Sequence, residues 1–432
     1  MVIGRLPRIF YGWWIVAAGF MIQLLVGALL NQAYGAYVVL LQREFGWTKT
    51  MLSGAYSLTR VESGLLGPLQ GWLMDRLGPR ALMRVGMLLF GGGFIAFSQI
   101  ESAWQFYVAF ALMALGSSLA GFFPLTVAIV NWFERRRATA LALMSMGFAV
   151  GGLLVPAVVL MLDHFGWRAT ALASGVLILV AGLPLVQMVR FRPEHYGMTV
   201  DGDPLGRTAP GATPSATAGE PADFDAAQAL RTPAFWLISL GHGAALLVVG
   251  AVMVHLVSHL HGNLGYSLAG AALIVTLMTA MQVAGQLLGG FLGDRFEKRL
   301  IATLCMAMHA AGLLLVAYAT ATWMAIAFAV LHGLAWGTRG PLMQAMRADY
   351  FGRRSFGTIM GFSSLIVMFG QVSGPLLAGV LADRTGSYES GFTILAALAG
   401  FGSVFFILAT KPRPKAATAG ASLRQAAGAP GD

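Results

Sequence analysis

The chain has 432 residues, 57% of them hydrophobic and only 11% charged, with 55 glycines, 22 methionines and a net charge of +10. That composition excludes an ordinary soluble enzyme and describes a polytopic membrane protein. One cysteine, Cys305, rules out a disulfide framework or a thiol metal site.

Twelve stretches are apolar and long enough to cross a hydrocarbon core, which needs about 20 helical residues each. They cover about 13–40, 48–74, 81–100, 104–131, 137–162 and 168–190, then 233–260, 267–293, 299–320, 322–347, 356–382 and 389–410. Helices are required because lipid offers no partner for open backbone groups, and the alternation of barrel strands is missing. Residues 1–12 are short and basic, but the following apolar run is too long for a cleavable signal peptide.

Of 28 Lys and Arg, 22 fall at the two termini and in every second loop, four in the alternate loops (Arg43, Lys49, Arg168, Arg384) and two inside segments (Arg60, Arg339). This asymmetry predicts that both termini are cytoplasmic, and it accounts for the charge through topology rather than nucleic-acid binding. The expected setting is the cell (cytoplasmic) membrane.

The polar stretch 191–232, rich in Pro, Gly, Ala and Thr, reads as a cytoplasmic linker between two six-helix bundles, 1–190 and 233–410. Its end, Asp223 to Pro233, predicts a short surface helix stopped by proline. Residues 411–432 read as a disordered cytoplasmic tail.

The two halves repeat at a nearly constant offset. Gly71-Trp-Leu-Met-Asp75-Arg76-Leu-Gly-Pro-Arg80 aligns with Gly290-Phe-Leu-Gly-Asp294-Arg295-Phe-Glu-Lys-Arg299, and Phe45-Gly-Trp-Thr48 with Leu264-Gly-Tyr-Ser267. Trp132-Phe-Glu-Arg135-Arg136 aligns with Tyr350-Phe-Gly-Arg353-Arg354, and Asp163-His-Phe-Gly166 with Asp383-Arg-Thr-Gly386. The fold class expected is all-α, with twelve transmembrane helices in two pseudo-symmetric six-helix bundles.

Over essentially its whole length the sequence resembles the major facilitator superfamily, whose signature loop is matched by Gly71 to Arg80 and echoed after segment 8. Tyr11-Gly-Trp-Trp14 and Trp132-Phe-Glu-Arg-Arg-Arg137 resemble the monocarboxylate transporter and oxalate/formate antiporter branch. The resemblance implies alternating access about a central site and transport of small organic anions. It also implies a cytoplasmic gate in which Asp75, Arg76, Arg80, Asp294 and Arg295 hold helix ends of the two halves together. The branch commonly carries an Asp and an Arg on segment 8, at positions occupied here by Gln282 and Gln286. Both charges are absent, which moves the anion role elsewhere and points to an acid larger or differently shaped than lactate.

Ionisable groups inside a bilayer cost several kcal/mol and are kept for a partner, a wet cavity or a function. Glu62 is the one acidic residue deep inside a segment and is the candidate proton-coupling carboxylate; the competing role is a tie between helices. Arg60 lies on the other side of the same helix, with Tyr56, Ser63 and Gly64, since two residues turn an α-helix by about 200°. Arg60 and Arg339 would offer one cation from each half to a carboxylate at the bundle interface. Alternatively, Arg339 bonds carbonyls freed by Pro341. His332 shares its face, one heptad earlier.

His242 is a candidate substrate or proton ligand, or a packing histidine. Asn31, Tyr34, Gln282, Gln286 and Gln371 are candidate cavity-lining hydrogen-bonders that could equally tie helices. His255, His259 and His261 lack acidic or thiol partners, which favours an interfacial cluster over zinc. No nucleotide loop and no catalytic or metal-spaced constellation is present, so neither an enzyme nor a cofactor is expected.

The function expected is secondary transport of a small mono- or dicarboxylate, with protons, by a monomer in the lipid bilayer. The alternative is a proton-coupled exporter of amphipathic compounds, a reading weakened by the lack of a Gly-Pro pair beside Pro156 in segment 5.

Overall fold

The computed structural model describes residues 9–203 and 223–413, with the backbone but not the side chains at 49, 50, 53 and 56–60. Residues 204–222 of the expected linker and the tail from 414 onward lie outside the described residues, as do the side chains of Tyr56 and Arg60. Nine helical stretches among the described residues are long and apolar enough to cross a membrane. One of them, Arg137–Met188, is two spans joined at Gly166, where the backbone turns through φ +76. Helices over 49–77 and Thr322–Phe351 complete the expected twelve; these two carry Arg60 with Glu62 and Arg339 with Arg347, which dilute their hydropathy.

In chain order the first half comprises α1 (Gly12–Phe45), α2 (49–77), α3 (Pro79–Phe97), α4 (Ala103–Trp132), α5 (137–165) and α6 (167–188). The second comprises α7 (Pro233–Asn263), α8 (Leu268–Gly293), α9 (Lys298–Ala317), α10 (Thr322–Phe351), α11 (Phe356–Thr385) and α12 (Glu389–Leu408). Ahead of α7, Asp225 caps a short helix, Ala226–Leu230, and Pro233 opens α7, as the sequence predicts.

The duplication is visible in local chemistry. The Thr48 hydroxyl accepts from Met51 N at the start of α2, and the Ser267 hydroxyl from Gly270 N at the start of α8. Gly166 and Gly386 occupy the left-handed region at equivalent turns, φ +76 and +74, where a Cβ would be strained.

Within the halves, α1 packs on α5, α3 on α4, α8 on α10 and α7 on α11, through glycines that let backbones touch. Between the halves, α2 meets α11 and α5 meets α8. These two contacts are equivalent under the repeat. Large apolar side chains such as Leu153, Phe165, Val180, Leu273, Phe369 and Phe401 face outward, as a lipid-facing surface requires.

Candidate functional site

Two carboxylates close the face that carries the basic loops. Asp75, at the end of α2, accepts from Gly357 N (3.0 Å), Thr358 N (2.8 Å) and the Thr358 hydroxyl (2.6 Å) in the first turn of α11. Asp294, at the end of α8, accepts from Ala138 N (2.8 Å) and Thr139 N (3.1 Å) in the first turn of α5. Each carboxylate satisfies orphan donors and faces the positive end of a helix from the opposite half.

Close backbone approach makes this possible. A Cβ on Gly71 would stand 2.2 Å from the Gly357 carbonyl oxygen, so α2 and α11 can touch only because both positions are glycine. Two further ties cross the halves. Arg137 pairs with Asp349, which also holds Lys298 at 2.7 Å, and Arg353 donates to the Asn131 carbonyl (2.9 Å) and Glu194 (3.1 Å).

The expected arginine partners behave differently. Arg80 donates to the Val189 carbonyl at 2.7 Å within its own half, Arg76 lies over the Trp72 ring and Arg295 over the Phe291 ring. In this state the crossing is made by the aspartates with backbone donors, and by Arg137 and Arg353, rather than by Arg76, Arg80 and Arg295.

Above the seal lies a cavity of about 470 Å³ between the halves. The first half contributes Gln23, Asn31, Ser63, Gly64, Ser117, Ser118, Phe122, Phe123, Ser145 and Phe148. The second contributes His242, Gln282, Gln286, Trp336, Arg339, Gln344, Arg347, Ser363, Ser364 and Gln371. No acidic residue is among the described residues that line it. Asn31 reaches the wall from a π-helical stretch, Val26–Gln32, in which its side chain donates to the Val26 carbonyl at 3.3 Å. Such stretches recur at functional sites.

Arg339 is 1% exposed, and its Nε and Nη1 have no hydrogen-bond partner among the described residues. α10 continues through Pro341, and no carbonyl freed there takes these donors. The Gln286 side-chain oxygen is likewise buried without a partner. Unsatisfied buried donors and acceptors in a cavity wall are expensive in an empty protein and are what a polar ligand satisfies.

Arg347 is a second fully buried cation on the same helix. It donates to the Met343 carbonyl (3.3 Å), Gln344 Oε1 (3.1 Å) and Ser363 Oγ (2.7 Å), and its Nη2 lies 3.0 Å from His242 Nδ1. The Ser239 hydroxyl donates to Ser363 Oγ at 2.8 Å, so Arg347 knits α7, α10 and α11 together. Guanidinium only donates, which makes His242 Nδ1 the acceptor. Counted by sequence among the loop cations, Arg347 is in fact inside the protein, because α10 runs on to Phe351 before Gly352 ends it.

The other candidates divide. His242, Asn31, Gln282, Gln286 and Gln371 reach the cavity. Tyr34 does not line it: its hydroxyl donates to the Leu52 carbonyl at 2.6 Å, tying α1 to α2. His332 is fully buried behind Trp336 and pairs with His309, so it is no substrate ligand in this state. Glu62 also misses the wall, because the helix phase gives the cavity Ser63 and Gly64 and leaves Glu62 with the outward Leu65 and Leu69. One Glu62 oxygen accepts from Ser63 Oγ at 3.2 Å; the other is buried without a partner among the described residues.

The outer histidines are engaged separately. His255 contacts the Tyr388 hydroxyl and the Pro375 carbonyl, His259 the Val316 carbonyl, and His261 the Tyr266 carbonyl. They tie α7 to its neighbours.

Twelve helices in two repeated halves, sealed at one face over a central cavity, have the architecture of a solute transporter. The sequence model of the Major Facilitator Superfamily matches residues 15–262 and again 238–429, and the chain belongs to that superfamily. Monocarboxylate transporter 11 of Mus musculus is 26% identical over 410 residues, covering 92% of this chain and 87% of that protein. A triacylglyceride transporter of Mycobacteroides abscessus is 27% identical over 169 residues, which is 38% of this chain and only 33% of that protein. A proton:xylose symporter bound to 6-bromo-6-deoxy-D-glucose superposes with a TM-score of 0.74 at 14% identity, covering 93% of this chain and 96% of the symporter. Within the superfamily, monocarboxylate transporter 11 is thus one relative to which the likeness runs over nearly the full length.

Proposed function

We propose that the protein is a secondary active transporter that carries a small organic anion, a mono- or dicarboxylate, across the cell membrane together with protons, its basic face and both termini cytoplasmic. The observation that carries this reading is Arg339, a buried guanidinium in the wall of a cavity that no described acidic residue lines, with two donor nitrogens that have no partner among the described residues. A buried cation costs several kcal/mol unless an anion meets it, and Arg cannot shed its charge. A carboxylate fits the guanidinium fork in bidentate fashion.

In this reading Arg339 holds the carboxylate, Gln286, Gln282, Asn31 and His242 supply neutral hydrogen bonds, and Arg60 adds a cation from the first half, as its helical position predicts. Phe122, Phe123, Phe148 and Trp336 surround the organic body. Transport follows when the Asp75 and Asp294 contacts release and the halves rock about the site. Glu62, one oxygen of which is buried with no partner among the described residues, is retained as a proton-holding candidate outside the cavity wall.

The test is uptake of radiolabelled lactate, pyruvate, benzoate and succinate into proteoliposomes, with and without an inward proton gradient. Uptake of at least one acid, raised by the gradient and reduced at least 10-fold by Arg339→Gln, is expected. If none is taken up, the reading is wrong. Uptake of neutral amphipathic compounds, unaffected by Arg339→Gln, would favour the exporter suggested by the aromatic wall.

A further inference from the structure

Behind Trp336, away from the cavity, two histidines meet in the interior of the second half. His309 on α9 and His332 on α10 are both 0% exposed, and their Nδ1 atoms lie 3.1 Å apart with ring centroids 4.5 Å apart. Both Nε2 atoms are buried without a hydrogen-bond partner among the described residues. Phe328 packs on His332, and the ring of Trp336, a residue of the cavity wall, lies 6.5 Å from the His332 ring by centroid.

Two facing Nδ1 atoms at hydrogen-bond distance can share one proton, never two and never none, without repulsion. One ring therefore carries Nδ1–H and keeps a bare lone pair on its Nε2. The other accepts at Nδ1 and keeps Nε2–H. A proton added to the bare Nε2 makes the first ring an imidazolium and leaves the Nδ1–H···Nδ1 bond in place, now charge-assisted. The pair is built to take up one proton and give it back with no bond broken in between.

The full burial of both rings and the charged and titratable neighbours of the pair together decide when it can do so. Cys305 lies one turn before His309 on α9, and Arg339 lies two turns after His332 on the same side of α10. With Arg339 unmet, a second positive charge beside it is opposed in a low-dielectric interior. With a carboxylate on Arg339, that opposition is cancelled.

We propose that the His309–His332 pair is the proton carrier of the transport cycle, loaded only when an organic anion occupies Arg339, so that one anion and one proton move together. The proton comes from water in the cavity past Trp336 to the free Nε2 and returns to water when the anion leaves. This rests on the anion-binding reading of Arg339 and assigns the coupled proton to a site other than Glu62.

The experiment uses the full-length protein in proteoliposomes carrying an internal pH dye, with the four acids above as probes. Combined in one chain, the asparagine variants H309N and H332N place an amide near each former Nδ1 and keep an inter-helix hydrogen bond, but leave no imidazole there to take a proton; either one alone would leave a titratable ring. The combined protein is expected to retain acid-for-acid exchange within 3-fold of wild type, and to lose both the accompanying internal acidification and gradient-driven accumulation by at least 10-fold.

If the asparagine variants still acidify the lumen in step with uptake, the assignment is overturned while the anion reading stands. If wild type takes up none of the acids, both fall together. Should the variants not fold, wild-type protein labelled with 15N-histidine decides by NMR. One imidazole pair must gain a single proton when a transported acid is added at pH 6, and an unchanged histidine spectrum refutes the proposal.

Discussion

Asp75 of the first half receives both the backbone N–H and the hydroxyl of Thr358 in the second, at 2.8 and 2.6 Å, and so holds α2 against the start of α11. Replacing this acceptor with Asn turns half of the carboxylate into a donor aimed at donors. The closed basic face should lose about 1–3 kcal/mol. Paired spin labels at Leu77 and Arg354, both exposed, should then show a longer inter-half distance population in Asp75→Asn. Arg76→Gln, whose side chain lies over Trp72 in its own half, should leave the distribution as in wild type.

Arg347 satisfies acceptors on three helices at once. Arg347→Met leaves His242 Nδ1 and Gln344 Oε1 without their donor, at about 1–3 kcal/mol for each buried group left unsatisfied, while Ser363 keeps the Ser239 hydroxyl. Thermal unfolding followed by circular dichroism should fall by several degrees, and Arg347→Lys should recover little, since an ammonium cannot reproduce a planar fork.

Gly337 allows α10 to lie directly on α8: a Cβ there would stand 1.9 Å from the Gln282 carbonyl oxygen. Gly337→Ala must push the two helices apart beside Gln282, Gln286 and Arg339. Overpacking of this kind costs about 1–3 kcal/mol, and carboxylate uptake should drop more than stability does, because the displaced groups line the cavity.

A ligand that binds only the folded protein raises stability by RT ln(1 + [L]/Kd), about 2.7 kcal/mol at 100 times Kd. A transported acid should therefore raise the melting temperature of wild type in a dose-dependent way. Arg339→Gln should show no such rise at the same concentrations, a comparison that reports binding without requiring turnover.

Much of this architecture is legible in the residue order. The twelve spans, the repeat and the two aspartates follow from apolar runs and from matched loops, since hydrophobic length and turn chemistry are local properties. Residues at helix ends and on hidden faces are less legible. Arg347 reads as a loop cation because the apolar run fades near 346, although the helix continues to Phe351. His309 gives no signal beyond a lone histidine in an apolar segment, since its meaning depends on His332 of another helix. The orientation of Glu62 turns on helix phase and on which neighbour α2 faces, neither of which is set by the composition of α2 itself.

Helix α10 is continuous from Arg339 through Pro341 to Asp349, ten residues and about 15 Å. The guanidinium in the cavity and the carboxylate that grips Arg137 of the other half are thus mounted on one helix. In the proposed cycle, a roll of that helix as an anion settles against Arg339 would swing Asp349 at the far end, and occupancy above would be linked to release below with no loop in between.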